Sequence, residues 1–329
     1  MPRPMSDHIS TLTDAARALT SAGTVVVCAH VHPDGDAVGA TLGAVLALRS
    51  LGIEAVPTLA DGRTAPATYA FLPGHDLYRT VDELAAPDVF LALDCPNWSR
   101  LGDAEALARS AGAVVVVDHH PDNTGYGHIN VVDAAAAASG QIIWRMLPDL
   151  GVKAARDVAT CLYVAIMTDT GRFSYGNTDA NVLRVAAEMV DAGVDAYHAY
   201  SAVYEARSAS YLRLLGVTLS RITHANAGRV AYTWITDDDL ATTGTLPEET
   251  EDLVDMVRTV GDVEAVALFK PDTGSTRVSL RAKAGFDVGA AARALGGGGH
   301  HAASGATVAG GLDDALMAVL PLLPGGSSR

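Results

Sequence analysis

Short apolar runs alternate with helical patterns through the first half of the chain. Four runs have the β-branched, almost wholly apolar composition of strands covered on both faces: residues 24–30, 55–59, 89–94 and 113–118. Between the first two runs, residues 37–51 place apolar side chains at helical spacing and end before Gly52, a common helix stop. This alternation predicts an α/β domain in which helices flank a mainly parallel sheet.

The second half of the chain predicts helices followed by a separate, smaller α/β unit. Residues 139–191 have a helical composition. Further on, three segments alternate like half-buried strands and a fourth is helical: residues 229–236, 263–270, 276–283 and 287–295. We therefore expect an N-terminal domain over 1–195, a helical linker over 196–220 and a C-terminal domain over 221–329. A chain of 329 residues is long enough for two domains.

Charge, hydropathy and cysteine content make several classes of protein improbable. The 38 acidic and 23 basic residues give a formal net charge of −15, which disfavours a protein that holds long duplex nucleic acid by neutralising phosphates. The apolar runs are too short to span a membrane, and the first residues lack the apolar segment of a signal peptide. Three separated cysteines without CxxC spacing argue against a disulfide framework or a zinc knuckle. We expect a cytoplasmic protein.

Aspartate and histidine residues follow several of the apolar runs at the point where each run ends. They are His30, Asp34, Asp36, Asp94, Asp118, His119, His120 and Asp169. A single carboxylate in such a place is commonly a helix cap or a turn residue. The carboxyl ends of parallel strands meet at one edge of a sheet, where open α/β sheets bind ligands. The repetition therefore favours one shared site.

The aspartates of such a site would repel one another without a counter-charge. Four of them are concerned: Asp34, Asp36, Asp94 and Asp169. Two divalent cations supply the missing positive charge. Carboxylate oxygens together with imidazole nitrogens suit Mn²⁺ better than zinc. Because two such ions can activate a water molecule and stabilise the charge of an attack on phosphorus, the pattern predicts phosphoester hydrolysis with two Mn²⁺ ions per subunit.

A glycine run near the end of the chain is the second candidate for ligand binding. Residues 296–299 are all glycine and precede His300 and His301. Such a run is often a flexible linker, but glycine also lets backbone amides approach an anion closely. Arg281 and Lys283 lie on one face of the preceding predicted strand, which favours a phosphate-binding wall.

Six motifs together resemble the DHH phosphoesterase family, in particular the members that carry a C-terminal DHH-associated domain. In chain order they are HVHPDGDAVG, LALD, DHH, TDTGRFSYGNT, VSLRAK and GGGGH. The resemblance covers residues 24–308, and the triplet Asp118-His119-His120 gives the family its name. One departure follows the glycine run, where this chain has Ala303-Ser304-Gly305 and the family commonly reads Ala-Ala-Gly, which puts nearby side-chain contacts in doubt.

The resemblance implies a role for each candidate side chain of the N-terminal domain. One cation would be held by His30, Asp34 and Asp94, and the other by Asp36, Asp94, His119 and Asp169. Asp94 would thus bridge the two ions. His120 would face the scissile phosphate and either stabilise the oxygens of the transition state or protonate the leaving group. His32 would support a ligand from outside, and Asp118 would orient a histidine of the triplet.

The resemblance also implies how substrate is held. Arg281, Gly298, Gly299 and His300 of the associated domain would bind the far phosphate or 5′ end of the substrate. The active site would then lie in the cleft between the two domains.

Within the family, the chain resembles the branch of nanoRNases and pAp phosphatases. The implied substrates are short oligoribonucleotides, 3′-phosphoadenosine 5′-phosphate (pAp), and cyclic or linear dinucleotides such as c-di-AMP and pApA. The implied cofactor is Mn²⁺, with Mg²⁺ or Co²⁺ as substitutes. The resemblance also implies a homodimer, for which the helices over 139–211 are the candidate interface. Neither a membrane nor long duplex nucleic acid is an expected partner.

Two other functions stay open at this point. A nucleotide-binding regulator with weak catalysis would keep the same motifs. A polyphosphate or pyrophosphate hydrolase would also use these metal motifs, although the basic C-terminal signature of family II pyrophosphatases is not found here. The single-strand exonuclease branch acts on longer DNA with additional binding domains, for which this acidic chain is too short. The motifs do not rank pAp, short RNA and dinucleotides.

Overall fold

Two sheets organise the chain, one in each of two units. The computed structural model describes residues 10–326 except 63, 64, 251, 284 and 300. The described residues divide into the two units between positions 206 and 207. The predicted fold class is confirmed, because a parallel sheet flanked by helices forms the first unit and the smaller second unit has a sheet of its own.

The sheet of the first unit is built from five parallel strands in the order β2-β1-β3-β4-β5. The strands are β1 (Thr24–Cys28), β2 (Glu54–Thr58), β3 (Val89–Leu93), β4 (Ala113–Asp118) and β5 (Ile129–Val132). The first four coincide with the predicted apolar runs within two residues. The fifth is short and only partly buried, so it lacks the apolar signature that identified the others.

Helices cover both faces of this sheet. They are α1 (Leu12–Thr20), α2 (Gly35–Ser50), α3 (Glu105–Ser110), α4 (Ser139–Leu150), α5 (Arg156–Asp169), α6 (Ala180–Asp191) and α7 (Ala196–Tyr204). Val27 and Leu91 belong to the core that contains residues of α1, α2, α4 and α5. Their neighbours Val26 and Phe90 belong to a second core with Leu107 of α3. The strands therefore alternate between two apolar cores, as expected for a sheet buried on both faces.

Glycines allow α2 and α5 to approach each other closely. A Cβ atom added at Gly39 of α2 would lie 2.5 Å from the backbone oxygen of Cys161 in α5. One added at Gly35 would lie 2.4 Å from Oγ1 of Thr168. Side chains at these positions would separate the two helices. The contact brings the first turn of α2 beside the last turn of α5.

The second unit contains a mixed sheet with the order β10-β11-β9-β8-β7-β6. Its strands are β6 (Thr223–Ala225), β7 (Val230–Trp234), β8 (Ala265–Asp272), β9 (Ser275–Ala282), β10 (Gly298–Gly299) and β11 (Ala303–Ala309). Its helices are α8 (Ala209–Ser220), α9 (Asp237–Thr243), α10 (Leu253–Val257), α11 (Val288–Ala294) and α12 (Leu312–Val319). Strands β7 and β8 are parallel, whereas the other described pairs are antiparallel.

The segment expected to link the domains consists of two helices. Helix α7 lies in the first unit and α8 in the second. Tyr211 and Leu214 of α8 are buried in a core of the second unit together with Val254 of α10. Among the helices of the described residues, none combines the length and the apolar character that a membrane crossing requires.

We predict that Gly39→Ala destabilises the first unit by about 1–3 kcal/mol, the usual cost of an overpacked core. The added methyl group would overlap the backbone of α5, which cannot rotate away as a side chain does. Gly216→Ala in α8 is the matched control. Apart from its chain neighbours and the nearby backbone of α8, no described atom lies within 4 Å of the added Cβ. The control should change stability little or raise it by up to about 1 kcal/mol. Urea denaturation of both variants measures the difference, and equal stabilities would contradict the close-packing argument.

Candidate functional site

Three neighbouring strands bring the candidate residues of the first unit to one edge of the sheet. Cys28 pairs with Ala92, and Leu93 pairs with Val117. Because the strands are parallel and in this register, the residues that follow them emerge side by side. His30, Asp94 and His119 are those residues. Helix α5 adds Asp169 at its last position.

The predicted metal ligands form three overlapping groups in which the ligand atoms lie within 4.8 Å of one another. The groups are His30, Asp34 and Asp94; Asp36, His119 and Asp169; and Asp94, His119 and His120. The structure therefore brings together all six predicted ligands and His120. The first two groups have the memberships expected for the two cations, apart from the shared Asp94.

Asp94 belongs to the first group and also faces the second. One of its carboxylate oxygens is directed at each group. Its Oδ2 is 3.3 Å from Nε2 of His30, and its Oδ1 is 3.3 Å from Nε2 of His119. The residue has φ +52°, a left-handed conformation that aspartate tolerates better than most residues. This arrangement suits a carboxylate that bridges two ions.

Both histidines predicted to bind metal, His30 and His119, turn the same nitrogen towards the carboxylates. Nδ1 of His30 lies 2.8 Å from the carbonyl oxygen of Val31, and Nδ1 of His119 lies 3.3 Å from that of Ala136. A carbonyl oxygen only accepts, so each Nδ1 carries the proton and donates it. Nε2 is thereby directed at the aspartates, the tautomer and orientation that metal-ligating histidines adopt. Carboxylate oxygens and imidazole nitrogens without sulfur fit a divalent cation such as Mn²⁺.

Asp34 and Asp36 each have a second structural role. Oδ1 of Asp34 accepts the N–H of Ala37 at 3.0 Å and caps α2, while its Oδ2 lies 3.9 Å from Nε2 of His30. Asp36 accepts the backbone N–H groups of Ser139 at 2.6 Å and Gly140 at 2.9 Å. Asp34 therefore caps α2 with one carboxylate oxygen and directs the other towards the candidate metal site.

The start of α4 contributes contacts that the sequence analysis missed. In addition to its N–H, Ser139 donates its hydroxyl to Oδ1 of Asp94 at 3.1 Å. Gly140 fits here because an added Cβ would lie 2.5 Å from that of Ala165. Backbone donors at a helix N-terminus stabilise a buried carboxylate. The only sequence signal is a Ser-Gly pair before an apolar run, which by itself identifies no partner.

Asp118 is fully buried and organises the histidine triplet. Its Oδ1 accepts the N–H of His119 at 2.8 Å and lies 2.7 Å from Nδ1 of His120. Its Oδ2 accepts from the side-chain amide of Asn123 at 2.6 Å. These contacts place Asp118 where the resemblance expects it, against a histidine of the triplet. Asn123 is a further residue that the sequence analysis missed.

Two aspartates of the cluster have raised pKa values, and a third has a lowered one. Burial raises the pKa of Asp169 to about 7, against the opposing charge of His119. Burial and the charges of Asp94 and Asp169 raise the pKa of Asp36 well above its usual range. Burial would also raise the pKa of Asp94, but hydrogen bonds from His119 and His30 outweigh it and hold that pKa well below its usual range. The two histidines thus stabilise the ionised form of Asp94.

The histidines respond to the same carboxylates. Burial lowers the pKa of His30, but the hydrogen bond to Asp94 and the charge of Asp34 outweigh this effect and raise it to about 9. For His120, burial is likewise outweighed by the hydrogen bond to Asp118, and the pKa rises above its usual value. The cluster favours cations, whether protons or metal ions.

A left-handed turn follows Asp169. Gly171, Arg172 and Phe173 have consecutive φ values of +53°, +63° and +60°, a conformation that non-glycine residues adopt mostly singly. The hydroxyl of Thr170 accepts the N–H of Phe173 at 3.1 Å. The amide of Asn177 donates to the backbone oxygen of Asp169 at 3.1 Å. The turn therefore fixes the backbone that carries Asp169.

The other residues predicted for the site have their own contacts. The side chain of His32 is 58% exposed, and its Nδ1 lies 4.0 Å from Oδ2 of Asp61. In the second unit, Nε of Arg281 donates to Oδ1 of Asp255 at 2.8 Å. Gly298 and Gly299 are exposed and pair with β11. His300 lies outside the described residues.

The departure after the glycine run has a structural role. Ser304 is buried in β11, and its hydroxyl donates to the backbone oxygen of Val288 in α11 at 2.7 Å. The extra oxygen therefore joins the strand to the helix.

Two family models match the chain, one within each unit. The model described as DHH family, N-terminal domain, matches residues 24–166, and the DHHA1 domain matches residues 228–322. A bifunctional oligoribonuclease and PAP phosphatase NrnA from Thermus thermophilus is 36% identical over 301 residues, which are 91% of this chain and 88% of that protein. The chain belongs to the DHH family. The protein of the same name from Bacillus subtilis is 27% identical, with coverage of 90% of this chain and 93% of that one.

Solved structures of other proteins share the DHH-family fold. An exopolyphosphatase-related protein from Bacteroides fragilis has a TM-score of 0.87 at 23% identity, with 97% of this chain and 96% of that chain covered. RecJ from Thermus thermophilus, solved in complex with Mn²⁺, has a TM-score of 0.53 at 18% identity, with 95% of this chain and 54% of that chain covered. At these identities the likeness establishes the fold alone.

We predict that Ser139→Ala weakens Mn²⁺ binding by about 10–100-fold, the usual effect of losing a partner that orients a metal ligand. The variant loses the hydroxyl contact to Asp94 but keeps the backbone contact to Asp36. Ser220→Ala is the control, because the Ser220 hydroxyl bonds within α8 of the second unit. Calorimetric titration of each purified variant with Mn²⁺ measures the affinity. Equal affinities for Ser139→Ala and wild type would contradict an orienting role for this hydroxyl.

Proposed function

We propose that this DHH-family protein is a Mn²⁺-dependent phosphoesterase that hydrolyses short oligoribonucleotides and pAp. The observation that carries the proposal is the pair of ligand groups on either side of Asp94, with His120 next to them. The relatives from Thermus thermophilus and Bacillus subtilis, named as oligoribonucleases and PAP phosphatases, support the substrate assignment. They also confirm the predicted enzyme class, a hydrolase of phosphoric esters.

Each of the two ligand groups would hold one cation. His30, Asp34 and Asp94 would hold one ion; Asp36, Asp94, His119 and Asp169 would hold the other. When bound, the cations supply an activated water molecule and positive charge for the phosphoryl group. Ser139 and Gly140 keep Asp36 in place through their backbone donors. Mg²⁺ or Co²⁺ would substitute for Mn²⁺.

His120 is the residue proposed to act on the reacting phosphate. Its Nδ1 lies 2.7 Å from Oδ1 of the buried Asp118. The contact fixes the ring and favours its protonated form, since a carboxylate stabilises an imidazolium. The ring can then donate a proton to the leaving-group oxygen or a hydrogen bond to the phosphoryl oxygens. Asp118 acts through His120 and does not itself contact substrate.

The second unit is proposed to hold the far end of the substrate. Arg281, Gly298, Gly299 and His300 are the proposed contacts, and the cleft between the domains is the proposed location of the active site. Cyclic and linear dinucleotides such as c-di-AMP and pApA belong to the same proposal as further substrates. A homodimer formed through residues 139–211, and a cytoplasmic location, also remain predictions.

The first test is hydrolysis by Asp94→Asn. Asparagine keeps the size of the side chain and tolerates the left-handed backbone at this position. Because the variant loses the negative charge and one of the two carboxylate oxygens of Asp94, we expect turnover of pAp and short RNA to fall on the order of a thousandfold, the several kcal/mol that metal ions contribute. Product release with added Mn²⁺ measures it.

Circular dichroism is the control, since the variant must keep the native fold. Turnover at the wild-type rate by a folded Asp94→Asn protein would contradict the two-cation assignment. Phosphate release by wild type from polyphosphate or pyrophosphate but not from pAp would favour the alternative hydrolase. Nucleotide binding without any product would favour the regulator.

The second test concerns substrate binding by Arg281. We expect Arg281→Ala to raise the KM for pAp about tenfold, the value of one hydrogen bond to a charged group, while Mn²⁺ affinity stays unchanged. Arg293→Ala is the matched control, because Arg293 is half exposed and pairs with Asp287 at 3.4 Å in the same unit. Steady-state kinetics and Mn²⁺ titration give the two quantities. An unchanged KM for Arg281→Ala would argue against a substrate contact.

A further inference from the structure

Arg100 lies immediately beside the first ligand group. It belongs to the 3₁₀ helix Trp98–Ala104, which begins four residues after Asp94. Its backbone oxygen accepts the N–H of Val31 at 2.9 Å. The carbonyl oxygen of the same Val31 holds Nδ1 of His30. The backbone of Arg100 is therefore tied to the loop that presents His30.

The side chain of Arg100 has a charge but no acceptor in the described part of the chain. Its guanidinium group makes no hydrogen bond and has no carboxylate oxygen within 4.0 Å among the described residues. The residue is only partly exposed, so water does not fully replace such a partner. Two other arginines of the first unit have carboxylate partners: Arg109 pairs with Glu105 at 2.7 Å and Arg145 with Asp133 at 2.6 Å.

The electrostatics agree with this placement. The positive charge of Arg100 is one of the influences that lower the pKa of His30, acting against the nearby carboxylates. Burial raises the pKa of the Cys95 thiol, which directly follows Asp94, and the charge of Arg100 acts in the opposite direction. The charge of Arg100 therefore acts on His30 and on the residue that follows Asp94.

We propose that Arg100 binds a phosphate group of the substrate on the His30 side of the site. This inference rests on the proposed function, because it adds a residue to the same phosphoesterase site. A guanidinium fork matches phosphate oxygens in geometry and charge, and it keeps its charge at any physiological pH. The site otherwise presents mainly carboxylates, so a fixed cation beside it offsets repulsion of an anionic substrate. No sequence motif used above includes Arg100.

The experiment compares Arg100→Ala and Arg100→Lys with wild type. We expect Arg100→Ala to raise the KM for pAp about tenfold while kcat changes less than about threefold, because the contact binds ground state and transition state alike. Arg100→Lys should recover part of the loss, since lysine keeps the charge but not the fork. Arg184→Ala, which removes an exposed arginine from α6, is the charge-matched control and should behave as wild type.

Mn²⁺ titration of the nucleotide-free variants distinguishes substrate binding from support of the ligand group. Unchanged Mn²⁺ affinity with a raised KM supports the proposal. A parallel loss of Mn²⁺ affinity overturns it, because Arg100 would then act through His30. A kcat/KM for Arg100→Ala within twofold of wild type overturns it as well.

Failure of the proposed function gives a different result. If wild type binds pAp without hydrolysing it, the phosphoesterase assignment fails. Arg100 is then tested by calorimetric Kd values for pAp, which should rise in Arg100→Ala and stay unchanged in Arg184→Ala. If wild type neither hydrolyses nor binds pAp or short RNA, both proposals are wrong. If wild type hydrolyses pAp and Arg100→Ala does so equally well, only the Arg100 proposal is wrong.

Discussion

The close approach of buried carboxylates around Asp94 is the constraint on which the rest of the first unit depends. Asp36 and Asp94 are almost completely buried, and Asp169 lies 3.4 Å from the same histidine nitrogen that faces both of them. Like charges at such distances are tolerated only with positive charge between them or with enforced protonation. Protonated His30 and His119 can supply that charge, and the donor chemistry of the cluster equally suits divalent cations, which would take the place of the protons on Nε2.

The scaffold meets this constraint by bringing the ends of three strands and of three helices together. Parallel strands place His30, Asp94 and His119 side by side, because their carboxyl ends share an edge. The glycine contact between α2 and α5 sets Asp36 beside Asp169. The N-terminus of α4 then covers Asp36 with backbone donors. Each element also has an apolar face in the core, so packing that stabilises the fold also holds the site.

Much of this organisation could be predicted from the sequence. The parallel sheet follows from short apolar runs, and the candidate ligands follow from their positions at the ends of those runs. Strand β5 was missed because its residues are only partly buried and carry little apolar signal. Strands β10 and β11 were missed because glycine, alanine and serine dominate them. The glycine run was expected to be a loop with exposed amides, whereas Gly298 and Gly299 pair with β11.

The sequence by itself determined the class of fold, the family and the identity of the candidate ligands, because these depend on local composition and on motifs of a few residues. Only the tertiary structure decided which oxygen of Asp94 faces which histidine, that Ser139 contacts Asp36 across 103 positions, and that Arg281 pairs with Asp255. Such contacts join residues that are distant in sequence, and chain closure and packing select them. No local pattern encodes their distances.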